Sequence, residues 1–189
     1  MRLRQTACHA GLVNKTHNHI PSAKLNMLMN SLKEIIAEGH KVLIFSQFTS
    51  MLGFVKKEVE RCSYKYVYLD GKTADRAAVV KEFQEDEECK VFLISLKAGG
   101  VGLNLTAASY VFLLDPWWNP AIEAQAVDRA YRIGQKNPVF AYRMVSRGTV
   151  EEKILEMQAD KRALADSVIG QGQVSEKING DDMRRLLSF

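Results

Sequence analysis

Five short apolar runs, each bounded by stretches with helical periodicity, constrain the fold of this chain more than any other feature. They are KVLIFS (41–46), YKYVYLD (64–70), CKVFLIS (89–95), SYVFLLD (109–115) and PVFAYRMV (138–145). Their apolar character is nearly continuous rather than alternating, so both faces must be covered, as in a parallel sheet between two helical layers. The intervening segments supply those layers. Residues 22–38 put Leu25, Leu28, Leu32, Ile35 and Ile36 on one helical face, with Ser22 as cap and Gly39 as stop. Residues 49–60 turn Met51, Leu52, Val55 and Val59 inward. Further helices are predicted within 73–84, from Pro120, and from a Thr149 cap to the end of TVEEKILEMQADKRALADSVI. Crossovers between parallel strands are right-handed. Chemistry in such sheets gathers at the strand carboxyl ends, so segments 46–48, 70–73, 95–104 and 115–118 are expected to line one edge.

Composition narrows the class without naming it. A length of 189 residues suits one α/β domain with short extensions, and 47% hydrophobic with 25% charged residues is ordinary for a globular chain. No apolar run approaches the roughly 18 residues that span a bilayer, and the first twenty residues show no signal-peptide core. The expectation is a cytosolic or nucleoid protein with no membrane partner. Cys8, Cys62 and Cys89 form no CxxC pair, which fits a reducing compartment. Cys8, His9, His17 and His19 lie close in sequence but match no zinc spacing, so no metal is expected there. The net charge is only +4, yet it is unevenly spread. Residues 129–147 hold five Lys/Arg and no acid, and 82–88 hold five acids and no base. A basic stretch of this kind is either a solvated face or a meeting place for phosphates.

Two segments invite a phosphate-loop reading, and both fall short. DGKT (70–73) looks like the end of a Walker A loop, but the glycine required five positions before Gly71 is Tyr66. LKAGGVGLNL would begin a dinucleotide fingerprint at Gly100, yet the position needing Gly or Ala is Leu105. Gly99, Gly100 and Gly102 still permit close backbone approach to a ligand at a strand's carboxyl end, where a plain tight turn is the alternative. The chain thus has glycine loops and arginines but no complete nucleotide cradle.

The arginines fall in QAVDRAYRIGQ (125–135). With Asn119 as cap, Pro120 in the first turn and Gly134 at the end, 120–134 read as one helix. At about 100° per residue, Ile122, Ala126, Ala130 and Ile133 form its apolar face. Gln125, Arg129 and Arg132 then fall within about 60° of one another on one half-buried border of that face. Compensation of the helix dipole accounts for basic residues near a carboxyl end. It does not account for two planar forks in line with a Gln, a pattern suited to phosphate oxygens.

These stretches resemble one family. QAVDRAYRIGQ resembles motif VI of superfamily 2 helicases in its Swi/Snf-type form, although Tyr131 stands where the family commonly has His. KVLIFSQFTSML resembles motif IV, LISLKAGGVGLNLTAA motif V, and VFLLDPWWNPAIEAQAVDRAYRIGQ is the most specific match. MRLRQTACHA resembles the family's leading segment, with Ala10 in place of Pro, and GTVEEKILEMQADKR its brace helix. The short link after DGKT is more like that of bacterial members than of long eukaryotic remodellers, which implies a nucleoid or cytoplasmic setting if bacterial and a nuclear one if eukaryotic. The resemblance covers about residues 1–168.

It implies a RecA-like three-layer domain: a leading segment (1–21), the lobe (22–148), the brace helix (149–169) and a polar tail with a short terminal helix (170–189). It further implies the second lobe of an ATP-dependent double-stranded-DNA translocase, whose ATP and Mg²⁺ are bound mainly by a first lobe of the same parent chain. On that reading Arg129 and Arg132 are arginine fingers, and Gln125, Gly100, Gly102 and Asn104 serve the nucleotide. Ser46, Gln47, Lys72, Lys97 and Trp117 serve the nucleic acid. This lobe alone, having no P-loop or acidic Mg²⁺ motif, is expected to be monomeric and inactive. An RNA-helicase lobe and a catalytically silent interaction domain of the same fold are the rival readings.

Overall fold

The computed structural model describes residues 1–98, 103–135 and 137–167, with side chains to 160 in the last helix. A leading helix α1 (Arg2–Cys8) and two single turns of 3-10 helix precede α2 (Ala23–Ala37). There follow β1 (Val42–Ser46), α3 (Thr49–Arg61), β2 (Lys65–Leu69), α4 (Arg76–Glu85) and β3 (Cys89–Ser95). The remainder is β4 (Tyr110–Leu113), α5 (Pro120–Val127), β5 (Phe140–Arg143) and the closing helix α6 (Val150–Ser167). The five strands are all parallel, in the order β2-β3-β1-β4-β5. This is the parallel sheet that the apolar runs predict, in the RecA-like layering that the resemblance implies.

Both faces of the sheet are covered, as continuous apolar strands require. Val42, Ile44, Val91, Leu93 and Phe112 face α2 and α3, where Leu28, Leu32, Met51 and Leu52 are buried against them. Leu43, Phe45, Phe92, Ile94 and Val111 face the other layer, with Phe83 of α4 and Ala126 of α5. Each fully buried side chain of this size contributes about 1.5–3 kcal/mol relative to exposure. The helix ends follow local chemistry. The Ser22 hydroxyl accepts from Leu25 N. At the other end of α2, Gly39 at φ 83° lets its own N–H reach Ile36 O and that of His40 reach Ile35 O, a Schellman stop.

The leading segment is part of the core rather than an appendage. Cys8 joins the α2-side cluster, Ser22 Oγ donates to Cys8 O at 2.8 Å, and Ser146 Oγ donates to Ala7 O at 2.7 Å. At the far edge, all four residues of β5 are exposed.

One element departs from expectation. The predicted helix over 120–134 ends at Val127. In a continuing helix the Arg129 carbonyl would accept from Ile133 N; here Leu105 N takes it at 3.0 Å. The Gln135 side chain takes Ala130 O at 3.1 Å and Ala108 O at 2.9 Å. Tertiary hydrogen bonds to the loop before β4 therefore break the helix. Ile133, placed by periodicity on the apolar face, is fully exposed, and Gly134 adopts φ 102° in the turn beyond.

The strand order positions the site. The connection leaving β1 runs toward β2, and that leaving β4 runs toward β5 on the opposite side. Between the carboxyl ends of β1 and β4 lies the switch point, where ligands of open α/β sheets bind.

Candidate functional site

The switch point rests on a buried polar floor. Asp115, immediately after β4, is only 1% exposed; it accepts from Ser46 Oγ and, at 3.2 Å, from Gln47 N. This ties the ends of β1 and β4 together. Burial pushes the Asp115 carboxyl above its ordinary value, against the pull of Ser46, Arg4 and Gln47.

Beside it lies the Pro116–Trp117–Trp118 loop, held from three directions. Arg4 of α1 donates to Pro116 O, and its guanidinium carbon lies 4.5 Å from the Trp118 ring centre. Glu123 of α5 accepts from Trp117 N at 2.6 Å, and Gln158 of α6 donates both to Trp117 O and, at 3.0 Å, to Glu123 Oε1. Arg143 of β5 approaches Glu123 Oε2 to 2.6 Å as a charge contact without hydrogen-bond geometry. Trp117 packs with the α5-side core, whereas Trp118 lies against Val150, Ile154 and Met157 of α6.

A second buried pair anchors the brace. Lys24 Nζ donates to the Glu151 carboxylate at 2.6 and 2.7 Å and to Leu114 O at 2.7 Å. Ser146 N donates to the same carboxylate at 2.8 Å. Burial also raises the pKa of the Cys8 thiol, which points at Glu151 from 3.4 Å. His9, for its part, stacks on Phe54 at 4.0 Å and accepts from Gly11 N through Nδ1, so Cys8 and His9 are occupied in packing.

The sequence-predicted residues divide clearly. Arg129 and Arg132 do lie on one turn, but not on one helical stripe: Arg129 is 7% exposed, while Arg132 and Gln125 are exposed. The early end of α5 is the physical reason. Arg129 stands 6.0 Å from the Phe45 ring centre, and its Nη1 has no hydrogen-bond partner among the described residues. Burial lowers the pKa of its guanidinium, the response to a charge held without compensation. Lys72 and Lys97 are exposed at the carboxyl ends of β2 and β3, on the same edge of the sheet. Asn104 is exposed, and its carbonyl accepts from Gln84 Nε2 at 3.1 Å.

Two nucleic-acid candidates are enclosed in this lobe. Ser46 is fully buried and its hydroxyl is committed to Asp115, so it holds the floor of the site rather than its surface. Gln47 is 8% exposed, with Nε2 unpartnered, so it too is enclosed here. Gly100 and Gly102 lie outside the described residues, as does the tail over 170–189.

Sequence reasoning missed Arg4, Lys24, Gln84, Glu123, Glu151 and Gln158. The available signal was a charged residue at an inward position of an amphipathic helix. Lys24 and Glu151 carry that signal, standing four and three positions before Leu28 and Ile154, both buried on the same helical face. Gln84, with Oε1 accepting from Ala107 N at 2.8 Å, pins the loop after β3 to α4 and had no such signal.

Comparison with known proteins places this arrangement. Residues 23–134 match the helicase conserved C-terminal domain, a range that covers β1 to β4, the switch point and the arginine turn. The chain belongs to that family. Its relatives are of the Swi/Snf type. The DNA repair protein RAD5 of Cryptococcus neoformans var. neoformans is 42% identical over 175 residues, covering 90% of this chain and 15% of that protein. The SWI2/SNF2 ATPase core of Sulfolobus solfataricus, solved in complex with dsDNA, superposes with a TM-score of 0.75 at 32% identity. That match covers 99% of this chain and 38% of the solved one. The C-terminal part of the Fun30 ATPase domain gives a TM-score of 0.71 at 32% identity, covering 91% of this chain and 53% of the other. This helicase C-terminal lobe thus spans less than a fifth of the RAD5 relative's length.

Proposed function

We propose that this lobe is the second motor half of an ATP-dependent double-stranded-DNA translocase and completes a nucleotide site whose other half lies on a first lobe of the parent protein. The observation that carries the reading is Arg129: a nearly buried guanidinium with Nη1 unpartnered, on the same turn as the exposed Arg132. An unpaired buried cation is costly unless something outside the described chain compensates it. A phosphate group offers that charge with matching oxygens. Support also comes from the relatives, which include a DNA repair protein and an ATPase core solved on dsDNA.

On this reading each residue has a distinct task. Arg132, free to reach, contacts the phosphoryl group as charge develops in the transition state; Arg129 sets the electrostatics behind it and holds the turn through its backbone carbonyl. Gln125 orients the phosphate end from α5, with Gly100, Gly102 and Asn104 beside the nucleotide. Bound ATP with Mg²⁺, held mainly by the first lobe, supplies the phosphoanhydride to be cleaved. Lys72 and Lys97 meet DNA phosphates, contacts that give affinity without reading sequence. Trp117, partly exposed at the switch point, serves the nucleic acid beside them. The eukaryotic relatives favour a nuclear setting.

The experiment uses the two-lobe parent. Arg132→Ala should lower kcat of DNA-stimulated ATP hydrolysis by about 10³-fold or more while DNA affinity stays unchanged. Hydrolysis that survives the substitution would remove Arg132 from the finger role. Turnover by this chain alone would overturn the half-site reading itself.

A further inference from the structure

Arg4 is the buried cation that nothing in the proposed chemistry uses. It lies in α1, remote in sequence from the switch point, and is 3% exposed. Lys24 and Arg143, the other cations of this region, each approach a carboxylate within 2.6 Å. Arg4 does not: its Nη2 donates to Pro116 O, and its Nε has no partner among the described residues. Three ring faces hold the rest of it, Trp118 at 4.5 Å, Phe48 at 5.7 Å and Trp117 at 5.8 Å from the guanidinium carbon. Asp115, Glu151 and Glu123 favour its charge from a distance, while burial opposes it.

These contacts differ in kind from a locked ion pair. A guanidinium that donates to the Pro116 carbonyl and lies over three rings cannot move without moving them or losing those contacts. A shift of α1 is therefore carried to Pro116, Trp117 and Trp118. By contrast, the Lys24–Glu151 pair fixes α2 to α6 in one geometry. Of the side chains of α1, Arg4 is the one that reaches the loop between β4 and α5. Phe48, just beyond the carboxyl end of β1, lies against the same guanidinium.

We infer that Arg4 is a positioning residue through which the chain leading into the lobe at α1 sets the placement of the Trp117–Trp118 loop at the switch point. The part of this inference that concerns hydrolysis rests on the translocase reading. The part that concerns the loop does not.

The test exploits composition: Trp117 and Trp118 are the only tryptophans of the chain. Tryptophan emission of the 189-residue chain, excited to the red of the tyrosine absorption band, therefore reports on this loop alone. Arg4→Met keeps length and apolar bulk but loses the fork. It should retain far-UV helical content, shift tryptophan emission to the red and increase acrylamide quenching. Arg4→Lys, which keeps the charge without the planar fork, should give an intermediate quenching. It carries the test if the Met variant does not fold. In the two-lobe parent, Arg4→Met should reduce DNA-stimulated kcat by about 10- to 100-fold through misplacement of the loop. Hydrolysis without DNA and the KM for ATP should stay at the parent's values. Folded variants with wild-type emission and quenching would overturn the inference whatever the ATPase shows. An altered loop with DNA stimulation intact would overturn its link to hydrolysis. A wild-type parent without DNA-stimulated ATPase would sink the translocase reading and leave the fluorescence result to decide Arg4.

Discussion

Removing the Glu151 carboxylate tests the buried pair that anchors the brace most directly. Its side chain is wholly enclosed and accepts from Lys24 Nζ at 2.6 and 2.7 Å, Ser146 N at 2.8 Å and the Cys8 thiol at 3.4 Å. Glu151→Leu strands the Lys24 ammonium, which keeps only the Leu114 carbonyl as a strong acceptor. Breaking a buried pair by removing one partner costs about 3–5 kcal/mol. For a domain of this size, at roughly 2–4 °C per kcal/mol, that lowers Tm by about 6–20 °C. Lys24→Met together with Glu151→Leu removes the stranded charge and should recover most of the loss. A deficit of about 1–3 kcal/mol remains because Ser146 N still lacks its acceptor. Urea denaturation of the wild type and these two variants, read as midpoint shifts at constant m-value, checks the ordering. If the double variant is no more stable than the single one, the cost does not come from an uncompensated Lys24. The account of the pair would then be wrong.

Two further outcomes follow from the same geometry. Lys97→Glu in the two-lobe parent should weaken DNA binding equally across sequences and reduce the slope of log affinity against log salt by about one; a sequence-dependent loss would remove Lys97 from the phosphate contacts. Burial holds Asp115 above its ordinary value of 3.8, so between that value and the higher folded one the native chain carries more proton than the unfolded chain. The stability this provides is present at low pH and declines as pH rises through that window. The stability difference between the wild type and Asp115→Asn, measured by urea titration at several pH values, should therefore fall from pH 3.8 upward, and a rising difference would refute the assignment.

Much of the fold is legible because it depends on local pattern. The strand CKVFLIS forms over the residues its apolar run marks, and Ser22, Gly39, Asn119 and Thr149 cap or stop helices as their chemistry dictates. The arginine turn resists such reading. Periodicity runs on through Ala130 and Ile133, but Leu105, distant in sequence, takes the carbonyl that the next helical bond needs. The burial of Ser46 is hidden from sequence for a related reason. A strand-end hydroxyl looks like a surface ligand until the side chain of Asp115 is brought against it from another strand.

The sequence by itself determined that this chain makes a parallel sheet covered on both faces, and that Arg129 and Arg132 fall within one family motif. Apolar runs, caps and motifs are local properties, written in neighbouring residues. Only the tertiary structure decided that Arg129 is enclosed while Arg132 is free, and that Ser46 and Asp115 form a floor. It alone brings Arg4, Glu123 and Gln158 from three separate elements onto the tryptophan loop. Burial and pairing depend on which distant segments meet, and the energies that make a buried charge tolerable exist only once they have met.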